Sequence, residues 1–347
     1  MPLDHIDPIA DTRWDALVRS RPSSVFHSPA WLRVLRDTYD FDLRALILSD
    51  KSGESTAGIA YCSIDDMMDP RIVSLPFSDF CDPLVGDRAS WSLLVETLLE
   101  QDHRLSMRCL HNDLPLRDER LSTTYRARWH CVDLQRSADA VWDSLDGSAR
   151  RAIRKARAKG VEVHIADDKA DLRAFFLLHL GVRKYKYNLL AQPYRFFERI
   201  WDHFLAQGDG ALMLASHEGQ VIGGVLFLEW QNKLYYKFNA SDPDQIALRP
   251  NDLVVWEGIK YGIGKGHTYL DFGLSDWDQE GLLRYKRKYA SEEKTISFLS
   301  YAPPDSPSPA EKQMRTLLPQ ITDLFVAESV PDEVSEKAGD ILYRYFT

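Results

Sequence analysis

The chain has 347 residues, of which 44% are hydrophobic, 27% charged and 11% aromatic, the profile of a folded protein able to bury a sizeable core. Its formal net charge of −9 argues against a general nucleic-acid coat but leaves room for local basic patches that hold phosphate. Length predicts two domains, and no window approaches the ~18 consecutive apolar residues of a membrane-crossing helix.

The start, MPLDHIDPIADTRWDALV, carries acids and prolines where a secretory leader needs a basic start and an apolar run, so a cytoplasmic location is expected. Asp11 to Ser20 has the pattern of a short amphipathic helix. Ser28-Pro29 opens a second, with Ser28 as cap and Pro29 in the first helical position. Leu43–Leu48 and Thr56–Ile64 predict a hairpin, Ile72–Leu75 a short strand, Pro76–Gly86 a loop, Ser90–Leu99 a helix and Leu105–Cys109 a strand. Cys62, Cys81, Cys109 and Cys131 form no CxxC pair. With His111 and His130 nearby they still lack a zinc-ligand spacing, so reduced buried thiols are expected, with no metal and no disulfide framework.

The second half repeats this order. Ala211–Ser216, Val221–Trp230 and Leu234–Ala240 are expected strands, followed by a loop from Ser241 to Pro250, a helix from about Asn251 to Ile263 and a strand over Thr268–Phe272. The repetition predicts a tandem duplication in an α+β fold, mixed sheets flanked by helices. The expected domains are residues 1–145 and 146–303. Residues 304–347 would form a proline-rich linker and two helices, 313–326, kinked or restarted at Pro319, and 334–345, that dock on the first domain.

Two stretches concentrate positive charge. Ser148–Gly160, SARRAIRKARAKG, holds six basic residues and no acid; it predicts a short helix crossing between the domains, either in contact with phosphate or RNA or simply solvated. Leu270–Lys294 reads as a strand, a break at Gly273 and Ser275, and a helix in which Lys286, Arg287 and Lys288 lie between Tyr285 and Tyr289.

No phosphate-loop, dinucleotide or Ser-His-Asp arrangement is legible. Gly262-Ile263-Gly264-Lys265-Gly266 follows a helix and reads as its end, and Gly223-Gly224 marks a bulge or a close backbone approach. His164, His179, His217 and His267 have no spaced partners and are expected to be structural. What remains is aromatic and basic. Arg183 and Tyr187 are four apart on a helix running from about Leu172, and Tyr236 and Phe238 alternate to one side of their strand. Asn251 is positioned to cap the next helix and leave backbone N–H groups facing a ligand. Asp271, Asp276 and Glu280 are the carboxylates near enough in sequence to the helix of Lys286 to act as a general base, and Asp271 equally suits a structural role at the turn.

Taken together, Phe26-His27-Ser28-Pro29-x-Trp31, Leu75-Pro76-Phe77-Ser78-Asp79, Arg150–Gly160, Tyr235–Ser241, Arg249-Pro250-Asn251, Asp271-Phe272-Gly273 and Gly281-Leu282-Leu283-Arg284-Tyr285-Lys286 resemble the FemAB-type transferases, within the broader GNAT-like acyltransferases. The resemblance covers roughly residues 25–301. It implies two tandem GNAT-like domains with a cleft near their junction, and an acyl or aminoacyl transfer to an amine of a cell-envelope precursor or related metabolite.

On this pattern Lys286 would neutralise the carbonyl oxygen during transfer, Arg183 and Tyr187 would hold the acceptor's phosphates, and Tyr236, Phe238 and Tyr285 would flank the reacting groups. The implied partners are a nucleotide-sugar-peptide acceptor and a charged tRNA. The resemblance makes no cofactor certain, the acyl donor being either aminoacyl-tRNA or acyl-CoA. The chain departs from the pattern in three ways. Leu35 and Arg36 stand where a first-domain lysine is expected, no coiled-coil arm follows Lys159, and the loop before Asn251 lacks the Gln/Arg-x-x-Gly-x-Gly/Ala grip on pyrophosphate. A CoA-dependent N-acetyltransferase and a non-catalytic binder of a phosphorylated sugar or RNA are the alternatives.

Overall fold

The computed structural model describes residues 2–347. The chain forms, in order, β1 (Leu3–Ile6), α1 (Thr12–Ser20), α2 (Pro29–Tyr39), β2 (Asp42–Ser49), β3 (Ser55–Ile64), β4 (Arg71–Val73), α3 (Arg88–Leu99), β5 (Arg104–Cys109) and β6 (Ser122–Asp133). Then come α4 (Ala138–Ser144), α5 (Gly147–Ala158), β7 (Glu162–Ile165), α6 (Lys169–Gly181), α7 (Tyr194–His203), β8 (Gly210–His217), β9 (Gln220–Trp230) and β10 (Lys233–Ser241). The last elements are α8 (Pro250–Gly264), β11 (Tyr269–Asp276), α9 (Glu280–Arg287), β12 (Glu292–Tyr301), α10 (Pro309–Val326) and α11 (Asp332–Leu342). They pack as two compact units: residues up to Arg128 with Lys294–Pro319 and Thr347, and Trp129–Glu293 with Gln320–Phe346.

In the first unit β1, β2, β3 and β4 pair successively antiparallel, and β4 pairs parallel with β5. A parallel neighbour needs a crossover, which α3 supplies. Leu46, Leu48, Ile59, Ile72, Trp91, Leu94, Leu98 and Leu105 form the core between that helix and the sheet. β5 is completed on its other side by β12, antiparallel, with Ser297 opposite Cys109. The cap at Ser28, with Pro29 in the first turn, is as the sequence predicts.

Beyond Val73 the chain turns through left-handed Leu75 and Phe77 and runs back along β5, Cys81 N–H bonding the Arg108 carbonyl. Here the two N-terminal motifs meet: Trp31 Nε1 donates to Ser78 Oγ at 2.9 Å and His27 Nε2 to the Asp82 carbonyl at 2.7 Å. Asp82 accepts three backbone N–H groups on one oxygen, from Leu110, His111 and Asn112. Burial nevertheless outweighs those bonds and pushes its carboxyl up to about 6. Because the folded state then holds the proton more tightly than the unfolded chain, Asp82 favours folding below about pH 4 and loses up to ~3 kcal/mol as pH rises to about 6. Urea midpoints followed from pH 4 to 7 should decline in wild type and flatten in Asp82→Asn; an equal decline in both would contradict this.

In the second unit β7, β8, β9 and β10 pair successively antiparallel, and β10 pairs parallel with β11 across α8. The order of pair directions and the helix between the parallel strands are those of the first unit, so the duplication lies in topology: tandem GNAT-like, mixed-sheet units. Phe227, Leu234, Val254, Val255, Ile259, Leu270 and Phe272 are the core under α8. The helix lies close to the sheet because Gly258 and Gly262 leave space that a Cβ would take from Phe227 and Leu134.

The packing boundaries fall within β6, β12 and α10, and the two strands carry no proline or glycine punctuation. Three expectations are corrected. α5 does not cross between units: Asp146 caps it and its apolar face, Ala149, Ile153 and Ala156, packs on α8. α10 runs through Pro319 without interruption. Gln320 onward packs with the second unit, not the first, because buried Lys184 finds its acceptors there, the Val330 carbonyl and Asp332 Oδ1 at 2.8 Å, while Arg173 pairs with Glu336 at 2.6 Å.

Candidate active site

β10 and β11 are in register over only three residues each, Lys233–Tyr235 against Tyr269–Asp271. β10 then continues beside β9 to Ser241 while β11 runs on to Asp276, bent at Gly273, which has φ 63°. Beyond these three pairs the two strands no longer pair, which leaves a gap between them, the candidate cleft, within the second unit. α8 starts at its rim.

A register shift on β10 determines what faces that cleft. Tyr236 lies opposite Phe227, but Phe238 lies opposite Leu226, so the bulge at Lys237 turns Tyr236 and Phe238 to opposite faces. This corrects the expectation from strict alternation. Tyr236 packs edge-on to Phe272 at 5.4 Å and to Phe227 at 6.1 Å, on the α8 side. Phe238 instead sits in an aromatic nest of His179, Phe196 and Phe197. His179 is structural there: burial and the nearby Arg183 push its imidazole down to about 3.

Past the bulge Asn239 returns to the α8 side. Its Nδ2 donates to Asn251 Oδ1 at 3.0 Å, and Asn251 Nδ2 donates to Ser241 Oγ at 3.1 Å. Asn251 is therefore a cleft-wall residue and not the cap of α8. Left-handed Arg249 occupies the cap position and Pro250, which has no N–H, begins the helix. Gly223 allows this approach, as a Cβ there would meet Pro250 at 3.1 Å.

Behind Tyr236 lies a cluster of phenols, one of which meets a buried carboxylate. Tyr289 donates to Asp252 Oδ1 at 2.6 Å, Tyr285 packs on Tyr289 at 5.4 Å, and Phe272 lies 6.1 Å from Tyr289. Burial raises the Asp252 carboxyl above its ordinary range, opposed by the Tyr289 hydrogen bond and by Lys288 and Arg249. Burial likewise raises the phenols of Tyr236, Tyr285 and Tyr289. All three remain neutral O–H donors at physiological pH in a site of low polarity, where such donors act most strongly.

Lys286 is buried, and its ammonium donates to the carbonyls of Phe272 at 2.6 Å, Leu274 at 2.9 Å and Gly273 at 3.3 Å. These are the backbone acceptors turned inward by the bend, and an ammonium has three protons to give. Lys286 thus ties its charge to the backbone of the bend. Asp271 lies in the same bend, its Oδ1 accepting from Trp129 Nε1 at 2.8 Å and Gly273 N at 2.6 Å, on the strand face opposite Phe272. It shapes the turn and does not face the aromatic cleft. Glu280 lines a separate groove beside α9.

Arg183 and Tyr187 do not share a face as an α-helix would place them, because Val182–Lys186 is a π-helical turn. Arg183 Nε closes the next loop on the Leu190 carbonyl at 3.0 Å. Tyr187 is exposed and near enough to influence the Tyr236 hydroxyl. Sequence reasoning did not select Asn239, Ser241, Asp252 or Tyr289 for the site; Tyr289 carried a signal, standing four residues after Tyr285 on one helical face.

Residues 145–287 match the model of the family described as "Acetyltransferase (GNAT) domain", a span that contains the cleft residues named above except Tyr289. In fold, the chain is similar to FemX, at 15% identity, TM-score 0.66 and coverage of 92% of this chain and 100% of that one. The C-terminal domain of a putative lysylphosphatidylglycerol synthetase from Agrobacterium fabrum is 14% identical, with TM-score 0.55 over 88% of this chain and 95% of that one. A tandem GNAT protein from the clavulanic acid biosynthesis pathway is 11% identical, with TM-score 0.54 over 86% and 98%. Comparison with curated protein sequences finds no match. The second unit carries a GNAT acyltransferase domain, which makes the chain an acyl-transferring enzyme. The fold of the whole chain is the tandem GNAT-like form, similar to FemX. Among the described residues no helix is long and apolar enough to cross a membrane.

Proposed function

We propose that this enzyme transfers an aminoacyl group, carried as an ester on RNA, to an amine of a cell-envelope precursor, with the reaction in the splay between β10 and β11. The observation that carries this is the neutral, phenol-lined cleft in front of Asp252. The amine nitrogen bonds to the ester carbonyl carbon, the carbon–oxygen bond to the ribose breaks, and the proton lost by nitrogen ends on the departing oxygen. Tyr236 donates a hydrogen bond to the carbonyl oxygen as negative charge gathers there. Asp252, whose proton affinity is raised, receives the amine's proton through Tyr289. Tyr187 and the terminal nitrogens of Arg183 meet the acceptor at the mouth.

The start of α8 weighs against a coenzyme A donor. Pro250 offers no N–H to a pyrophosphate, and Asp242, Asp244 and Asp252 place carboxylates at or near that helix start. Likeness in fold to FemX and to a lysylphosphatidylglycerol synthetase domain favours an aminoacyl donor in the same direction. Purified protein incubated with a nucleotide-sugar peptide and either aminoacyl-tRNA or acetyl-CoA, with products weighed by mass spectrometry, tests the reading. A tRNA-dependent gain of one aminoacyl residue is expected. A gain of acetyl from acetyl-CoA would overturn the donor, and no product with either would overturn the proposal.

A further inference from the structure

The two basic stretches that stand apart in sequence converge in the second unit. A cavity of about 640 Å³ lies between the start of α5 and α9, lined by Asp146, Ser148, Glu280, Arg284, Arg287 and Lys288 among others. Asp146 N–H bonds the Lys288 carbonyl, fastening the two elements together, and the charges of Arg151 and Lys288 both act on the Asp146 carboxylate. From this groove α5 runs roughly 18 Å with no acidic residue. Its inner positions, Ala149, Ile153 and Ala156, are buried on α8, which leaves Arg151, Arg154 and Lys155 exposed along the outer side. Arg157 and Arg287 are neutralised by Glu257 and Glu293. Among the described residues Arg150, Arg151, Lys155 and Arg284 form no ion pair with a carboxylate within 4.0 Å.

We propose that this groove and the outer side of α5 dock the phosphate backbone of an RNA. The inference rests on the reading of an RNA-borne donor and adds the surface that holds it. Cations spread along 12 residues of helix and across a neighbouring helix, several of them outside any ion pair among the described residues, suit a repeating phosphodiester better than one phosphate group. On a chain of net charge −9 such a surface also orients a polyanion. An anionic lipid surface is the weaker match. The site is concave, and the outer side of α5 carries no large apolar residue to enter a bilayer.

The test uses the full chain and a fluorescent, non-aminoacylated RNA hairpin, measuring anisotropy at several salt concentrations. The double variant Arg151→Glu, Arg284→Glu should bind at least ten-fold more weakly and lose about one to two units from the slope of log affinity against log salt. Lys51→Glu, on a hairpin turn of the first unit, should bind like wild type. Transfer from a small aminoacyl ester without RNA should be unchanged in the double variant. Equal RNA affinity of wild type and double variant, or binding to phosphatidylglycerol vesicles with none to RNA, would overturn the inference. RNA docked through these residues with no aminoacyl transfer would instead sink the proposed function and leave the docking surface standing.

Discussion

Lys286→Ala is expected to destabilise the second unit by about 3–5 kcal/mol and to abolish transfer with it. The ammonium serves three carbonyls of β11, and its removal leaves those buried acceptors without a donor, each costing about 1–3 kcal/mol before relaxation. For a unit of this size the melting temperature should fall by roughly 10 °C. Lys286→Arg should not restore it, since a planar fork cannot converge on three carbonyls around one point. Differential scanning calorimetry beside the transfer assay separates the possibilities. A variant with unchanged melting temperature and lost turnover would return Lys286 to direct contact with the reacting carbonyl.

Tyr236→Phe should lower kcat by about 10²-fold or more while leaving KM and melting temperature nearly unchanged, the loss expected when one donor to a developing oxyanion is removed. The ring's packing on Phe272 and Phe227 survives in phenylalanine; only the hydroxyl goes. Tyr187→Phe should raise KM for the acceptor more than it lowers kcat, because Tyr187 is exposed at the mouth. Equal activity of Tyr236→Phe and wild type would move the reacting carbonyl out of this cleft.

Much of the architecture was legible because it rests on strong local patterns: the hairpin of β2 and β3, the three long strands β8 to β10, the apolar helices α3 and α8, and the repeat of that order. β6, with STTYRAR at its start, and the four-residue edge strand β7 carry too little apolar periodicity to be read, and β12 begins with Glu292 and Glu293. At the site the residue types were visible but their directions were not. One extra residue at Lys237 reverses Phe238, a π-helical turn rotates Arg183 away from Tyr187, and a left-handed glycine supplies the carbonyls that take up Lys286. Each is a local departure from ideal periodicity, and the functional cleft is built from them. Asp252 was overlooked for a related reason: a carboxylate in the first turn of a helix reads as a favourable dipole partner, and only packing reveals that Tyr289 buries it.

The account stands most directly on where the acyl group lies. Hydrogen exchange of the backbone, measured with and without an aminoacyl-adenosine analogue whose ester is replaced by a stable amide, should slow across Tyr236–Ser241 and Asp271–Asp276, the two walls of the splay. Protection confined to other strands, with those two segments exchanging as in the free enzyme, would contradict it.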